Sequence, residues 1–226
     1  MARPRYPRSH GPLPPPLPPE TRTVGQLVAE TIKLYGRRFW PSLALGLAVT
    51  AINQVSAGRS TLVQVLVLAG AAPLMAAAYT GASAIVGDAK PDASTAARAV
   101  AVGSAVFVPA AFLSLVYVLP AVAWLALLGL VVPVLVLERL PVRTAFRRAI
   151  QLARADFLHA FGSLATLVIL FGLVKLTLVL LLRDLGDNGE RVALGLADLI
   201  LSPLLFLGGA LLYVDQVARV RSRPTT

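Results

Sequence analysis

The sequence predicts an all-α, polytopic membrane bundle of six transmembrane helices with amphipathic helices at the interface. Three observations carry that expectation. Of the 226 residues, 57% are apolar and only 14% are charged, well short of the quarter or so that a soluble domain carries. The apolar residues come in long uncharged runs rather than in alternation with polar ones. The basic residues fall in alternate gaps between those runs. With no cysteine in the chain, a disulfide framework and a thiolate metal site are both excluded. A net charge of +10 would point to nucleic acid in a soluble chain. Here topology accounts for it, and no nucleic-acid partner is expected.

Five runs define the spans. Phe39–Gly58, Thr61–Gly87 and Ala99–Leu137 carry no charge, Phe157–Leu182 carries only Lys175, and Val192–Val214 carries only Asp198. A hydrocarbon core of about 30 Å is crossed by about 20 helical residues. Ala99–Leu137 would form a rod of about 58 Å, too long for one crossing. It reads as a hairpin turning near Tyr117–Ala121, where Pro120 discourages helix continuation. Six spans follow, near 39–58, 61–84, 99–116, 120–138, 158–182 and 192–214. With both termini cytoplasmic, all of the 21 basic residues except Arg59, Arg183, Arg191 and Lys175 lie in inner segments. A single crossing by Ala99–Leu137 would move Arg139–Arg154 outside and weaken this positive-inside bias.

The flanks read simply. Residues 1–20 hold eight prolines and no apolar signal-peptide core, which predicts a disordered, polyproline-II-rich cytoplasmic tail. Residues 21–217 form the membrane domain, and 218–226 a short basic tail. Arginine outnumbers lysine 18 to 3, a composition that suggests a G+C-rich bacterial genome and hence an inner membrane.

Two segments have helical amphipathicity. In residues 141–157, Val142, Ala145, Phe146, Ala149, Ile150, Ala153 and Phe157 share one arc, with Arg143, Arg147, Arg148, Gln151 and Arg154 opposite. That pattern predicts a helix in the cytoplasmic interface with arginines at anionic headgroups. In residues 22–38, Thr23 and Gln26 fit a capping box. Val24, Val28, Ile32, Tyr35 and Phe39 make an apolar stripe. The two segments align at an offset of 118, and Asp92–Val102 resembles a third copy. Chance likeness among amphipathic helices competes with a true repeat of interfacial helix plus hairpin.

The stretches TVGQLVAETIKLYGRRFWP and PVLVLERLPVRTAFRRAIQLARADFLHAFGSL resemble a family of bacterial six-helix membrane proteins. That family includes the membrane domain fused to some glycerophosphodiester phosphodiesterases, together with stand-alone proteins of unknown function. The resemblance covers about residues 21–215 and rests on Glu138, Ala145, Arg147, Arg148, Leu152 and Phe157. Ala149 stands where the family often has serine. The resemblance implies a membrane architecture; no phosphodiesterase domain accompanies it here.

Charges inside the bilayer are the first candidates for function. Lys175 lies about 12 Å from Arg183 along its helix, and Asp198 about 10.5 Å from Arg191. The short loop RDLGDNGE makes the two helices antiparallel neighbours, so an ion pair between Lys175 and Asp198 is expected. It can fix the register of two helices, or serve a proton relay or a substrate cation. Alternatively Lys175 snorkels outward while Asp198 is protonated or faces a wet cavity. Glu138 is expected to pair with Arg147 or Arg148, stapling the interfacial helix to the bundle, and Asp215 with Arg219 at i+4. Arg143, Arg147, Arg148 and Arg154 are the candidate anionic-lipid contacts. Asn53, Gln54 and Gln64 suit interhelical hydrogen bonds, and the small residues Gly70–Ala72, Ala76–Ala78, Gly81 and Ala82 suit close helix approach.

Catalytic templates are weak. His10 and His159 are too few for a zinc site. Gly81-Ala82-Ser83-Ala84 lacks an activating histidine at its depth, and Val86-Gly87-Asp88 lacks a second aspartate. No catalytic, cofactor-binding or metal-ligating residue is assigned. The favoured reading is a non-enzymatic inner-membrane protein that contacts anionic inner-leaflet lipid or assists a protein partner, with a homo-oligomer also open. The rival is a small transporter or permease subunit using Lys175 and Asp198 in a polar pathway. An intramembrane enzyme comes third.

Overall fold

The computed structural model describes residues 18–182 and 186–222. The proline-rich tail (1–17), Arg183 and Arg223 lie outside them. Among the described residues all regular structure is helical. A short 3-10 turn, Pro19–Thr21, leads into α1 (Val24–Arg37), α2 (Phe39–Ser56), α3 (Thr61–Gly70), α4 (Ala72–Val86), α5 (Ala93–Leu113) and α6 (Val118–Leu128). Then follow α7 (Val131–Pro133), a π-turn (Val134–Glu138), α8 (Val142–Ala155), α9 (Phe157–Leu182), α10 (Gly186–Leu201) and α11 (Pro203–Ser222).

Among the described residues four helical stretches are long and apolar enough to cross a membrane: 93–113, 118–138, 157–182 and 188–222. The pair α3–α4, bent by 55°, makes a fifth if it is one crossing. This is the make-up of a membrane protein. The expected first span, near 39–58, forms as α2 (Phe39–Ser56) but falls outside that set, because Pro41, Asn53 and Gln54 dilute its apolar content. The last stretch is longer than the expected 192–214 because α10 and α11 nearly continue each other, broken only at Ser202 before Pro203.

The sequence locates the breaks. Pro73 and Pro203 sit at the starts of α4 and α11, where the missing N–H costs little, and among the described residues Pro109 alone lies beyond the first turn of an α-helix. The hairpin turn falls at 114–117, slightly ahead of the expected Tyr117–Ala121, with Pro120 in the first turn of α6. The suggested third amphipathic copy, Asp92–Val102, is no separate helix. Asp92 caps α5, which runs unbroken to Leu113.

Packing is graded from centre to rim. Within its apolar window, 56% of 118–138 is buried inside the protein but only 6% of α9. The first is therefore a central strut, while Leu173, Leu176, Leu180 and Leu181 of α9 face outward. Small residues bring α4 and α5 together: Ala72, Ala76 and Ala82 are fully buried, and a Cβ on Gly103 would lie 2.8 Å from that of Ala76. Gly70, expected to share that role, is exposed with open space around it.

Polar contacts collect distant segments at one end. Arg38 meets Asp88 at 2.9 Å, Arg139 donates to the Lys90 carbonyl at 3.4 Å, and the Tyr213 hydroxyl donates to Glu138 at 2.8 Å. Arg219 meets Asp156 at 2.8 Å, and Arg22 meets Asp215 at 2.5 Å. At the opposite end Arg191 donates to the side chain and carbonyl of Gln54 at 3.0 and 2.7 Å.

Candidate functional site

Three helices meet at the ion pair. Lys175 Nζ of α9 lies 2.8 Å from Asp198 Oδ1 of α10, as the depth arithmetic anticipates. Asp198 is 2% exposed and the Lys175 side chain 25%, with its ammonium 5.7 Å from the centre of the Phe171 ring. The third member comes from α2: Asn53 Nδ2 donates to Asp198 Oδ2 at 2.7 Å. Glycines let α2 come close enough. A Cβ on Gly46 would overlap the Leu199 carbonyl, and one on Gly195 would lie 2.5 Å from Gln54 Nε2. Gln54 also donates to the Arg191 carbonyl at 3.0 Å. Asn53 and Gln54 thus bond between helices as expected. Gln64 does not, because its amide turns back to the Arg59 carbonyl just ahead of its own helix.

At the other end, Glu138 closes the π-turn and is followed by Arg139 with φ 51°, a left-handed conformation that turns the chain toward α8. Its carboxylate accepts from Tyr213 and meets Arg148 Nε at 3.4 Å. Of the two arginines expected there, Arg148 is the partner. Arg147 lies one residue, about 100°, further round the helix and is exposed.

The expected Asp215–Arg219 pair does not form. Asp215, wholly buried, takes Arg22, with His159 Nε2 at 3.8 Å. Arg219 instead joins Asp156 and donates to the Arg22 carbonyl at 2.7 Å. Asp156 also caps α9 by accepting from the His159 amide at 3.1 Å, and its carbonyl accepts from Gln216. Local i,i+4 geometry thus loses to packing between α11, α9 and the segment before α1.

Helix α8 presents three faces. Ala145, Ala149, Leu152 and Ala153 are buried against the bundle. Val142 is 37% exposed, with Phe146 and Ile150 half-buried beside it; Phe157, expected on the same arc, lies beyond the end of α8 as the first residue of α9 and is 38% exposed. Arg143, Arg147 and Arg154 project outward, with no carboxylate partner among the described residues. Arg148, the fourth expected lipid contact, is spent on Glu138. In α1 the capping box of Thr23 and Gln26 forms as read, but Leu27 and Thr31 make the buried face and Ile32 is 51% exposed. Val28 and Thr31 border a groove with Phe171 and Leu205, so α1 packs on the bundle flank as well as at its end. Its Glu30 is held below the ordinary carboxylate range chiefly by the hydrogen bond from Lys33. At the start of α5, the Ser94 and Thr95 hydroxyls and the Thr95 amide hold the Asp92 carboxyl far below that range.

An apolar cavity of about 150 Å³ lies between the helices, walled by Met75, Tyr79, Phe107, Leu167 and Phe206 among others. Ser83 is fully buried and donates to the Tyr79 carbonyl at 2.8 Å, with no base beside it. Among the described residues no three His, Asp or Glu side chains come together as a metal site. No family model, curated protein or solved structure matches this chain.

Proposed function

We propose that the chain is a non-enzymatic, six-crossing protein of a bacterial inner membrane, with both termini cytoplasmic, which binds anionic lipid at its cytoplasmic end. Its kinship with the six-helix family named above belongs to the same proposal. In this reading α2, the bent pair α3–α4, α5, the stretch 118–138, α9 and the stretch 188–222 each cross once. The gathering of Arg22, Arg38, Lys90, Arg139 and Arg219 at one end supports an even number of crossings.

The observation that carries the lipid assignment is α8. It holds its small residues against the bundle, an apolar flank half-exposed, and three unneutralised arginines outward. A helix so arranged lies at the boundary of headgroups and acyl chains, where each arginine near an anionic surface contributes about 1 kcal/mol. The test is mass spectrometry of lipids retained after mild-detergent purification. Replacing Arg143, Arg147 and Arg154 together with glutamine should lower the ratio of phosphatidylglycerol to phosphatidylethanolamine; an unchanged ratio rejects the assignment.

A second reading is favoured by Lys175, Asp198 and Asn53. Three polar side chains from three helices converge within the apolar layer, where ionisable groups commonly line pathways. If they serve transport, replacing both Lys175 and Asp198 with leucine abolishes it in a folded protein. A register device survives that change.

A further inference from the structure

The α5–α6 hairpin ends differently from the α2–α3 turn. Between Arg98 and Glu138 the chain has no charge, and the tip is apolar on every side. Leu115, Val116, Tyr117, Val118 and Leu119 are 42%, 65%, 74%, 53% and 55% exposed. The α2–α3 turn, by contrast, carries Arg59 and Ser60.

The turn that leads into the tip pairs its own amides. The amides of Ser114, Leu115, Val116 and Tyr117 donate to the carbonyls of Ala110, Phe112, Leu113 and Leu113 at 3.1, 3.1, 3.1 and 3.4 Å. The Ser114 hydroxyl donates to the Ala111 carbonyl at 2.6 Å. The two arms are pinned by Trp124 Nε1, which donates to the Val106 carbonyl at 2.9 Å. The turn residues 114–117, whose amides are paired, can sit in hydrocarbon, where unpaired donors cost several kcal/mol each. The amides of Val118 and Leu119, at the uncapped start of α6, have no acceptor among the described residues and call for the headgroup edge. Length agrees. The uncharged part of α5, Ala99–Leu113, rises only about 22 Å, short of a core about 30 Å thick.

We propose that this tip stays embedded in the outer leaflet of the bilayer and is a lipid-binding surface, with the Tyr117 hydroxyl and the free amides of Val118 and Leu119 near headgroup level. A protein-docking surface would be one-sided with a polar rim. Exposure all round, with no charge, suits acyl chains instead. The proposal rests on the six-crossing reading, which places the tip and Ser60 on the same outer side.

The chain has no cysteine, so single cysteines report cleanly. In intact cells a membrane-impermeant maleimide should label the Ser60→Cys variant. The Val116→Cys variant should react at least ~10-fold more slowly until detergent is added, being shielded by lipid. The same variant, purified, tagged with an environment-sensitive fluorophore and reconstituted into phosphatidylglycerol vesicles, should be quenched by lipids brominated on the acyl chain. Equal labelling of the two variants in cells overturns the proposal. So does protection in cells without quenching in vesicles, which would mean that a protein covers the tip. Failure of Ser60→Cys to label from outside overturns the six-crossing reading, whereas the quenching judges the tip regardless of sidedness.

Discussion

Removing the Lys175 ammonium tests whether the intramembrane pair behaves as a unit. At 2.8 Å the gross attraction is about 6 kcal/mol with an effective dielectric constant of about 20. Desolvation of Asp198, only 2% exposed, offsets much of it. The informative quantity is therefore the penalty of stranding one partner. Lys175→Leu leaves a buried carboxylate with Asn53 as its one remaining side-chain donor, and should cost about 3–5 kcal/mol. Asp198→Asn should cost less, because the Lys175 side chain is 25% exposed and its stem can swing toward the interface. The double variant Lys175→Leu/Asp198→Asn keeps a partner for Asn53 and strands no charge, so it should unfold within about 1 kcal/mol of the parent. Thermal unfolding in mild detergent, followed by Trp40 and Trp124 fluorescence, reads this at about 2–4 °C per kcal/mol for a chain this size. The lysine variant alone should melt roughly 6–20 °C lower. Additive losses, with the double variant worse than either single one, would refute the reasoning.

Other expectations are more local. Gly46→Ala drives a methyl into the Leu199 carbonyl and should cost about 1–3 kcal/mol. Gly162→Ala, with open space at its Cβ, should leave the melting temperature unchanged or raise it. Arg22→Ala strands Asp215, wholly buried, with only His159 nearby, and should cost about 3–5 kcal/mol. The comparison variant Arg38→Ala breaks a pair whose side chains are 51% and 82% exposed, and should cost about 0–1 kcal/mol. At Asp92 the depressed carboxyl pKa makes the cap of α5 a source of stability above the ordinary aspartate range, lost only as pH falls well below it. Amide exchange at Thr95 should therefore stay slow through mild acid in the parent and be fast at every pH in Asp92→Ala. Protection that fades near pH 4 would contradict it.

The helical class was legible because uncharged runs of membrane length leave few other solutions. The Lys175–Asp198 pair was legible because a short loop fixes the relative register of two antiparallel helices. What lay hidden depended on helices distant in sequence. Asn53 reaches Asp198 from 145 residues away, and nothing in either segment names the other. Arg22 displaces Arg219 at Asp215 from 193 residues away, although the local i,i+4 rule favours Arg219. Periodicity marked α8 as amphipathic but not which arc the bundle would cover. The alanines and Leu152 won that contact because they allow closer packing than Phe146. The bend between α3 and α4 left only a weak trace, since Pro73 starts the second helix rather than kinking one.

The clasp between Arg22 and Asp215 has a bearing on biogenesis. Arg22 leaves the ribosome long before the helix that bears its counter-ion has been made. Until that helix is made, the leading segment has nothing to dock on, and Asp215, wholly buried in the finished bundle, needs the cation waiting for it. Closure of the bundle is thus deferred to the end of synthesis. Nascent chains arrested before Asp215 emerges should keep Arg22 open to protease, long after the middle helices have become resistant.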